Sequence, residues 1–425
     1  MGKYIGLGEY NKNTKYLIYY IIHNFVYEGI GGLKYGQLYY PIRFYDKQKL
    51  LKTHKLVDDT FCYFGVLLFS FILMQFYPDN KGKTVNVDKK PGLIQLIYEK
   101  ENSFKTNNAN IIFVAFTWVL HILLIKMYYV SNFSYLDYWA FEMIITYYIS
   151  KKMFKIQIYN HQKFAIYFIT IFCSILIFCS FILTLVDEKD IIYKDHPIFI
   201  PIGIIIYFII LFIRSYSNCK IKWLTDSKYI STSKFLLIYG IIGTICCTII
   251  YTITTLVDCG ENKLDLCYIE KDGKTYFDSF TVFYDEYFKH SFKFIDIILF
   301  IILIISKFFV SLYYVLTIKY LTPVYATCLP SIHYFILQVI LVFNTIIQGK
   351  TEIISSHLAK VIIEILTDFF SVLGIFVYIE LIEIRICGLH YNLRRNIRLR
   401  SLSDFDNYGI LGDDDNEEEE EDINI

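Results

Sequence analysis

The stretch YYVSNFSYLDYWAFEMIITYYISKK, residues 128–152, is apolar and aromatic from end to end, apart from a short polar dip, SNFS, and two closing lysines. A helix that spans a bilayer needs about 20 mostly apolar residues. One such run ends at the dip and another begins just beyond it, which predicts a membrane hairpin. Inside the second run stand Asp137 and Glu142. A charge at mid-bilayer costs about 2.5–3.5 kcal/mol on insertion scales, so it needs a partner or an inward, hydrated face.

Working outward, apolar runs of similar length recur near 60–77, 110–130, 134–150, 162–186, 197–217, 234–257, 293–317, 323–347 and 361–384. A weaker run at 16–32, YLIYYIIHNFVYEGIGG, contains His23, Asn24 and Glu28. The 425 residues are 55% hydrophobic, too apolar for an ordinary soluble domain. Ile, Tyr, Phe, Lys and Asn are all abundant, so run length carries the assignment rather than apolar frequency. The expected fold class is an all-α polytopic membrane protein of about ten transmembrane helices. Residues 1–59 form an N-terminal segment with the weak first span and a basic loop. Residues 60–186 form a first transmembrane half and 197–386 a second, which includes an acidic lumenal loop at 258–292. Residues 387–425 form a basic, then acidic, disordered tail.

Cytoplasmic loops of membrane proteins carry excess Lys and Arg. Lys81, Lys83, Lys89, Lys90, Lys100 and Lys105 precede the third span, and Lys151, Lys152 and Lys155 follow the fourth. Lys220, Lys222, Lys228 and Lys234, next to Arg214, follow the sixth, and Arg394, Arg395, Arg398 and Arg400 follow the last. With ten spans these clusters share one side, read as cytosolic, and both termini fall there. The basic loop at 34–59, with Arg43, Lys47, Lys49, Lys52 and Lys55, goes against the scheme. The opposite side holds Cys259 and Cys267. A disulfide between them suits an oxidising lumen, and two free loop thiols are the alternative. The expected location is an endomembrane: Golgi, ER or vacuole. The start MGKYIG has neither a cleavable signal pattern nor an N-myristoylation pattern.

Residues four apart share a helix face. Ser134, Tyr138, Glu142 and Thr146 make one polar stripe, and Lys307, Ser311 and Tyr314 make a second. Thr327, Ser331, Tyr334 and Gln338 make a third, with His333 beside it, and Thr244, Thr248 and Thr252 make a fourth. Inward stripes on four helices suggest a wet central site. Its candidate binding residues are Tyr138, Glu142, Thr248, Lys307, Ser311, Tyr314, Thr327, Ser331, His333, Tyr334 and Gln338. Lys307 binds an anionic group of a substrate, pairs with Glu142 or extends its ammonium to an interface. A plainer reading is that Thr hydroxyls bond their own backbone and that Tyr at span ends marks the interface. Gly240 and Gly243 allow close helix packing. Glu364, Asp368 and Ser371 share a face of the last span, where packing or a homodimer contact is expected. The chain has no P-loop, paired-His metal motif or nucleophile elbow. No catalytic residue, metal, cofactor or nucleic-acid partner is expected. The expected partners are a small polar organic solute and the lipid bilayer.

Laying residue n on n + 188 superposes FSYLDYWAFEMIITYYI (133–149) on LTPVYATCLPSIHYFIL (321–337), so that each segment starts a helix after a tight reversal. Copies five spans apart have opposite orientation, a construction common in secondary transporters. The hairpin YYVSNFS, the joint IKYLTPVYATCLPSI and the basic link RSYSNCKIKWLTDSKYISTSKFLLIYGIIG (214–243) together resemble the drug/metabolite transporter superfamily. This group includes EamA-like, nucleotide-sugar and triose-phosphate carriers, and the likeness covers roughly 110–385. It implies two inverted five-helix repeats and a secondary transporter or exchanger that moves a small polar organic solute by alternating access. The alternative is a non-transporting multi-span receptor or scaffold subunit.

Overall fold

Hydrocarbon offers a backbone no hydrogen-bond partner, so an apolar run inside a membrane closes its bonds on itself as a helix. The computed structural model describes residues 5–7, 14–34, 55–76, 104–130, 139–154, 159–186, 199–227, 230–256, 269–271, 274–276, 294–347 and 358–384. Among the described residues, helices occupy every run that the sequence marked as apolar. They are α1 (Thr14–Lys34), α2 (Lys55–Phe76), α3 (Phe104–Val130), α4 (Trp139–Phe154) and α5 (Asn160–Val186). They continue with α6 (Phe199–Ser227), α7 (Thr232–Leu256), α8 (Phe294–Tyr320), α9 (Pro323–Ile347) and α10 (Leu358–Tyr378).

Four stretches among the described residues are long and apolar enough to cross a membrane: Val57–Gln75, Ile202–Asp226, Thr232–Ile253 and Ile297–Tyr320. Asn108–Leu124 and Ile365–Tyr378 are shorter apolar helices. The outer faces have the same character. Ile202, Ile205, Ile206, Ile209 and Phe212 are exposed along α6, and Phe164, Tyr167, Ile171, Ile175 and Phe178 along α5. Apolar stripes of this extent are a liability in water and are at ease against lipid tails.

Local signals set several helix ends. α8 stops at Tyr320, and α9 restarts at Pro323 after the Leu321–Thr322 link. Proline suits a first helical position because the amide hydrogen it lacks would have no partner there. Ser231 caps α7, its Oγ accepting the Lys234 N–H at 3.1 Å. α10 ends in a left-handed residue, Glu380 (φ 64°), with Leu381 N donating to Phe376 O at 2.9 Å. That position favours glycine. The Glu380 carboxylate meets His161 at 3.2 Å, joining the start of α5 to the end of α10.

Packing partners reveal helix directions. α2 and α7 form the most extensive pair and run antiparallel, with Gly240 against Leu67 and Gly243 against Tyr63. A Cβ on Gly240 would lie 2.6 Å from the Leu67 backbone nitrogen, so the close packing expected of this glycine is real. α2 and α8 run parallel, as Phe61–Phe300, Gly65–Ile304 and Phe69–Phe308 advance together. α1 and α8 are antiparallel through Tyr16–Tyr320, Tyr20–Tyr314 and His23–Phe309. α5 and α10 are antiparallel through Ile169–Gly374 and Phe172–Phe370. α4 and α6 are parallel, with Glu142 at Ser215 and Thr146 at Cys219. Each direction is the one that an up-and-down path of successive helices gives.

The pairing has a second regularity. Advancing every helix by five places turns α1–α8 into α3–α6, α2–α8 into α3–α7, α4–α6 into α1–α9, and α9–α10 into α4–α5; all eight are packed pairs. The pairs α2–α7, α4–α9 and α5–α10 map onto themselves. Contacts of α8 with α6, α7 and α9 have no counterpart of similar extent among the described residues.

Two short strand pairs complete the described structure. β1 (Ile5–Leu7) and β4 (Ile382–Ile384) pair antiparallel, Ile5 opposite Ile384, so the chain enters α1 and leaves α10 at the same end of the bundle. β2 (Ile269–Lys271) and β3 (Lys274–Tyr276) form a hairpin within the acidic loop.

Candidate functional site

Among the described residues α4 begins at Trp139, which places Glu142 in its first turn rather than half-way along the 134–150 run. The first turn of a helix presents unpaired N–H groups and the positive end of its dipole, which favours a carboxylate. Glu142 is 0% exposed. Its Oε1 lies 2.9 Å from Arg214 Nε and accepts the Asn218 Nδ2–H at 3.1 Å. Asn218 Oδ1 in turn accepts the Tyr314 hydroxyl at 2.8 Å. The Tyr314 oxygen accepts a hydrogen bond from the Arg214 guanidinium, which closes a ring of four side chains. Ser215 Oγ donates to the Glu142 carbonyl at 3.3 Å, fixing the α4 backbone against α6. Among the described residues Glu142 Oε2 has no hydrogen-bond partner.

This arrangement removes one of the readings of Lys307, the pairing with Glu142. The cation that pairs with Glu142 is Arg214 of α6, whereas Lys307 of α8 lies elsewhere. The sequence reading groups Arg214 with the basic link that follows the 197–217 run. α6 in fact continues to Ser227. Arg214 and Asn218 are one helical turn apart, so both reach Glu142 from the same face. That spacing was the available signal. The stripe running on from Glu142 does face inward: Thr146 and Ser150 are buried, and Ser150 Oγ lies 3.2 Å from Cys219 Sγ.

An aromatic wall adjoins the ring. Trp118 of α3 stacks on Tyr314 at 5.3 Å and on Tyr239 of α7 at 4.2 Å. Tyr239 meets Tyr63 of α2 edge-on at 5.2 Å, with the two hydroxyls 3.4 Å apart. Tyr20 of α1 closes edge-on against Tyr314 at 5.2 Å. At the far end of the wall the Lys307 ammonium sits over Tyr27 at 5.1 Å and over Tyr63 at 6.0 Å. Ring faces carry negative charge, so they attract a cation without neutralising it.

The remaining expected residues divide clearly. Ser311 is buried on α8 between Lys307 and Tyr314. Thr327 donates to the Val324 carbonyl at 2.8 Å. Thr244, Thr248 and Thr252 each donate at 2.7 Å to the carbonyl four residues back, so the α7 stripe serves its own backbone. The side chains of Ser331, His333, Tyr334 and Gln338 lie outside the described residues, as do Tyr138, Cys259 and Cys267.

A helical bundle with a lipid-compatible exterior and a hydrogen-bonded ion pair in its interior defines the class of this chain: a polytopic membrane protein. Beyond that class, no protein-family model and no curated protein matches the sequence, so the functional argument rests on these residues.

Proposed function

We propose that this chain is a secondary transporter or exchanger for a small polar organic solute, built on the plan of the drug/metabolite transporter superfamily. The observation that carries the proposal is the buried ring of Glu142, Arg214, Asn218 and Tyr314. Glu142 belongs to the first five helices and the other three residues to the last five. The ring therefore lies between the two halves, where an alternating-access carrier keeps its substrate site. The five-place regularity in helix pairing supports two related halves, and the change from odd to even helices supports their inversion. The β1–β4 pairing supports an even number of crossings, with both termini on one side, read as the cytosolic face of an endomembrane.

In this proposal the solute competes for the ring. A polar group that takes the place of Asn218 or of one charged partner loosens the hold of α4 on α6 and α8 and frees one half to rock against the other. A ligand shifts such an equilibrium only by its difference in affinity between the two states. The ring sets that difference, because its hydrogen bonds exist only while the halves are closed upon it.

A second reading is favoured by one specific feature. The ring satisfies itself with four of its own side chains, as a structural clasp in a receptor or scaffold would. Counterflow into liposomes that hold the purified full-length protein separates the two readings. The solute panel would be nucleotide sugars, phosphorylated sugars and amino acids. Saturable exchange of at least one solute, lost in Lys307→Ala although the variant inserts normally, is the expected result. Absence of exchange with every solute would refute transport and leave the clasp.

A further inference from the structure

Two cations at one end of the bundle take no part in the ring. The start of α1 and the end of α8 meet there, Tyr16 stacked on Tyr320 with ring centroids 4.7 Å apart. Each ring has an ammonium near its centroid: Lys15 at 5.1 Å from Tyr16 and Lys319 at 5.4 Å from Tyr320. Lys222 of α6 donates to the Lys319 carbonyl, which fixes the end of α6 against this corner. The charge of Lys222 is matched by Asp226 at 3.0 Å. Lys15 and Lys319 have no such match, since among the described residues no carboxylate lies within 4.0 Å of either ammonium. Ring faces attract a cation without neutralising it, so the corner keeps two positive charges.

The surface beside the corner decides what balances them. The pairing of β1 with β4 puts the start of α1 at the same end of the bundle as the end of α10. Tyr and Lys at helix ends are the residues that a bilayer holds at the depth of its head groups. Beyond the corner α1 exposes an apolar stripe at four-residue steps, Ile18, Ile22 and Val26. Lys15, also exposed, heads the same face three residues before Ile18. From Lys15 to Val26 that face runs about 16 Å, close to one leaflet of a hydrocarbon core about 30 Å thick. We infer that the α1–α8 corner is a binding site for an anionic phospholipid. Its head group engages Lys15 and Lys319, and an acyl chain lies along Ile18, Ile22 and Val26. Tyr320, exposed beside the lysines, adds a hydroxyl donor. A free phosphate would satisfy the lysines and leave the stripe unused, so the source of the anion is a lipid. This site needs only the membrane class of the chain and stands equally for a carrier or a clasp.

The test uses purified full-length protein, stripped of lipid in neutral detergent. Native mass spectrometry counts bound lipid as phosphatidylserine or phosphatidylcholine of equal chain length is added. Two lysines near a surface favour an anionic head group by about thirtyfold, and each alone by about fivefold. Phosphatidylserine therefore binds about thirtyfold tighter than phosphatidylcholine. Lys15→Gln and Lys319→Gln each lose about fivefold of that preference, the double variant loses it all, and Lys15→Arg with Lys319→Arg keeps it. Lys151→Gln with Lys152→Gln removes the same charge from exposed positions at the end of α4 and leaves the preference in place. Equal binding of the two lipids by the unaltered protein overturns the inference, and that comparison needs no variant to fold. So does a preference that survives the Lys15/Lys319 double Gln variant, or one that falls as far in the Lys151/Lys152 variant. Displacement of phosphatidylserine by millimolar inorganic phosphate would reduce the corner to a small-anion site and overturn the lipid.

Discussion

Replacing Arg214 by Met removes the positive partner of a carboxylate that has no exposed surface, while keeping most of the side-chain volume. At the observed 2.9 Å, and with an effective dielectric constant of about 20, the attraction between the two charges is about 6 kcal/mol before desolvation is subtracted. Deleting one partner of such a buried pair costs about 3–5 kcal/mol, because the survivor keeps its desolvation penalty and loses its compensation. Asn218 remains on Glu142, which places the expected loss near the lower end of that range. Glu142→Leu leaves Arg214 buried without its carboxylate and has a similar effect. The double variant, with no charge left to bury, recovers much of the loss. The described cysteines Cys62, Cys173, Cys219, Cys247 and Cys328 are buried, so a thiol-reactive dye reports unfolding as each variant is heated in detergent or nanodiscs. A coupling energy of at least about 2 kcal/mol between the two substitutions is expected. If their effects add to within about 0.5 kcal/mol, the ring is not an energetic unit and its part in both functional readings fails.

Tyr314→Phe keeps the ring stacking on Trp118 and deletes the hydroxyl that links Asn218 to Arg214; it should cost about 1 kcal/mol in the same assay, and no loss would mean that the link is idle. Gly240→Ala drives a methyl group into the Leu67 backbone and should destabilise by about 1–3 kcal/mol. Gly29→Ala, with nothing within 4 Å of the new carbon, should stabilise by about 0.5–1 kcal/mol; equal effects of the two alanines would contradict the α2–α7 approach. A membrane-impermeant maleimide should label Cys259 and Cys267 only after reduction, and labelling without it would remove the bridge. Small epitope tags at the two chain ends should be accessible from the same side of sealed vesicles, as the β1–β4 pairing requires; opposite accessibility would break that pairing.

Much of the helical framework was legible in the amino-acid order because lipid imposes a single rule on backbone and side chain together. A run of spanning length must be apolar and must be helical, so reading 323–347 and 162–186 from hydropathy placed α9 (Pro323–Ile347) and α5 (Asn160–Val186) almost to the residue. Even the weak run at 16–32 is a helix, α1, whose His23 stacks on Phe309 and Tyr313 of α8. The glycines of α7 were legible for a related reason, since a missing side chain inside an apolar helix marks a neighbour that comes close. Helix ends were less so. The lysines after Ser217 read as a loop, yet α6 continues through Lys220, whose ammonium lies over Trp223, and Lys222, which pairs with Asp226. Long cationic side chains extend their charge to the surface while their backbone stays helical.

The order of residues alone dictates that Glu142 needs a companion, because an ionised carboxylate within an apolar run demands a partner or water. It did not determine which companion. Arg214 and Lys307 are both cations on apolar helices, far from Glu142 along the chain, and the one-turn spacing of Arg214 and Asn218 has its like in Lys307 and Ser311. Only the packing of α4 alongside α6, in parallel and in a register that puts Glu142 beside Ser215 and Asn218, made the choice. The same packing left Lys307 beside the rings of Tyr27 and Tyr63 instead. Electrostatic need is a property of one residue and its surroundings, whereas the identity of the partner depends on which helix faces lie close enough to touch.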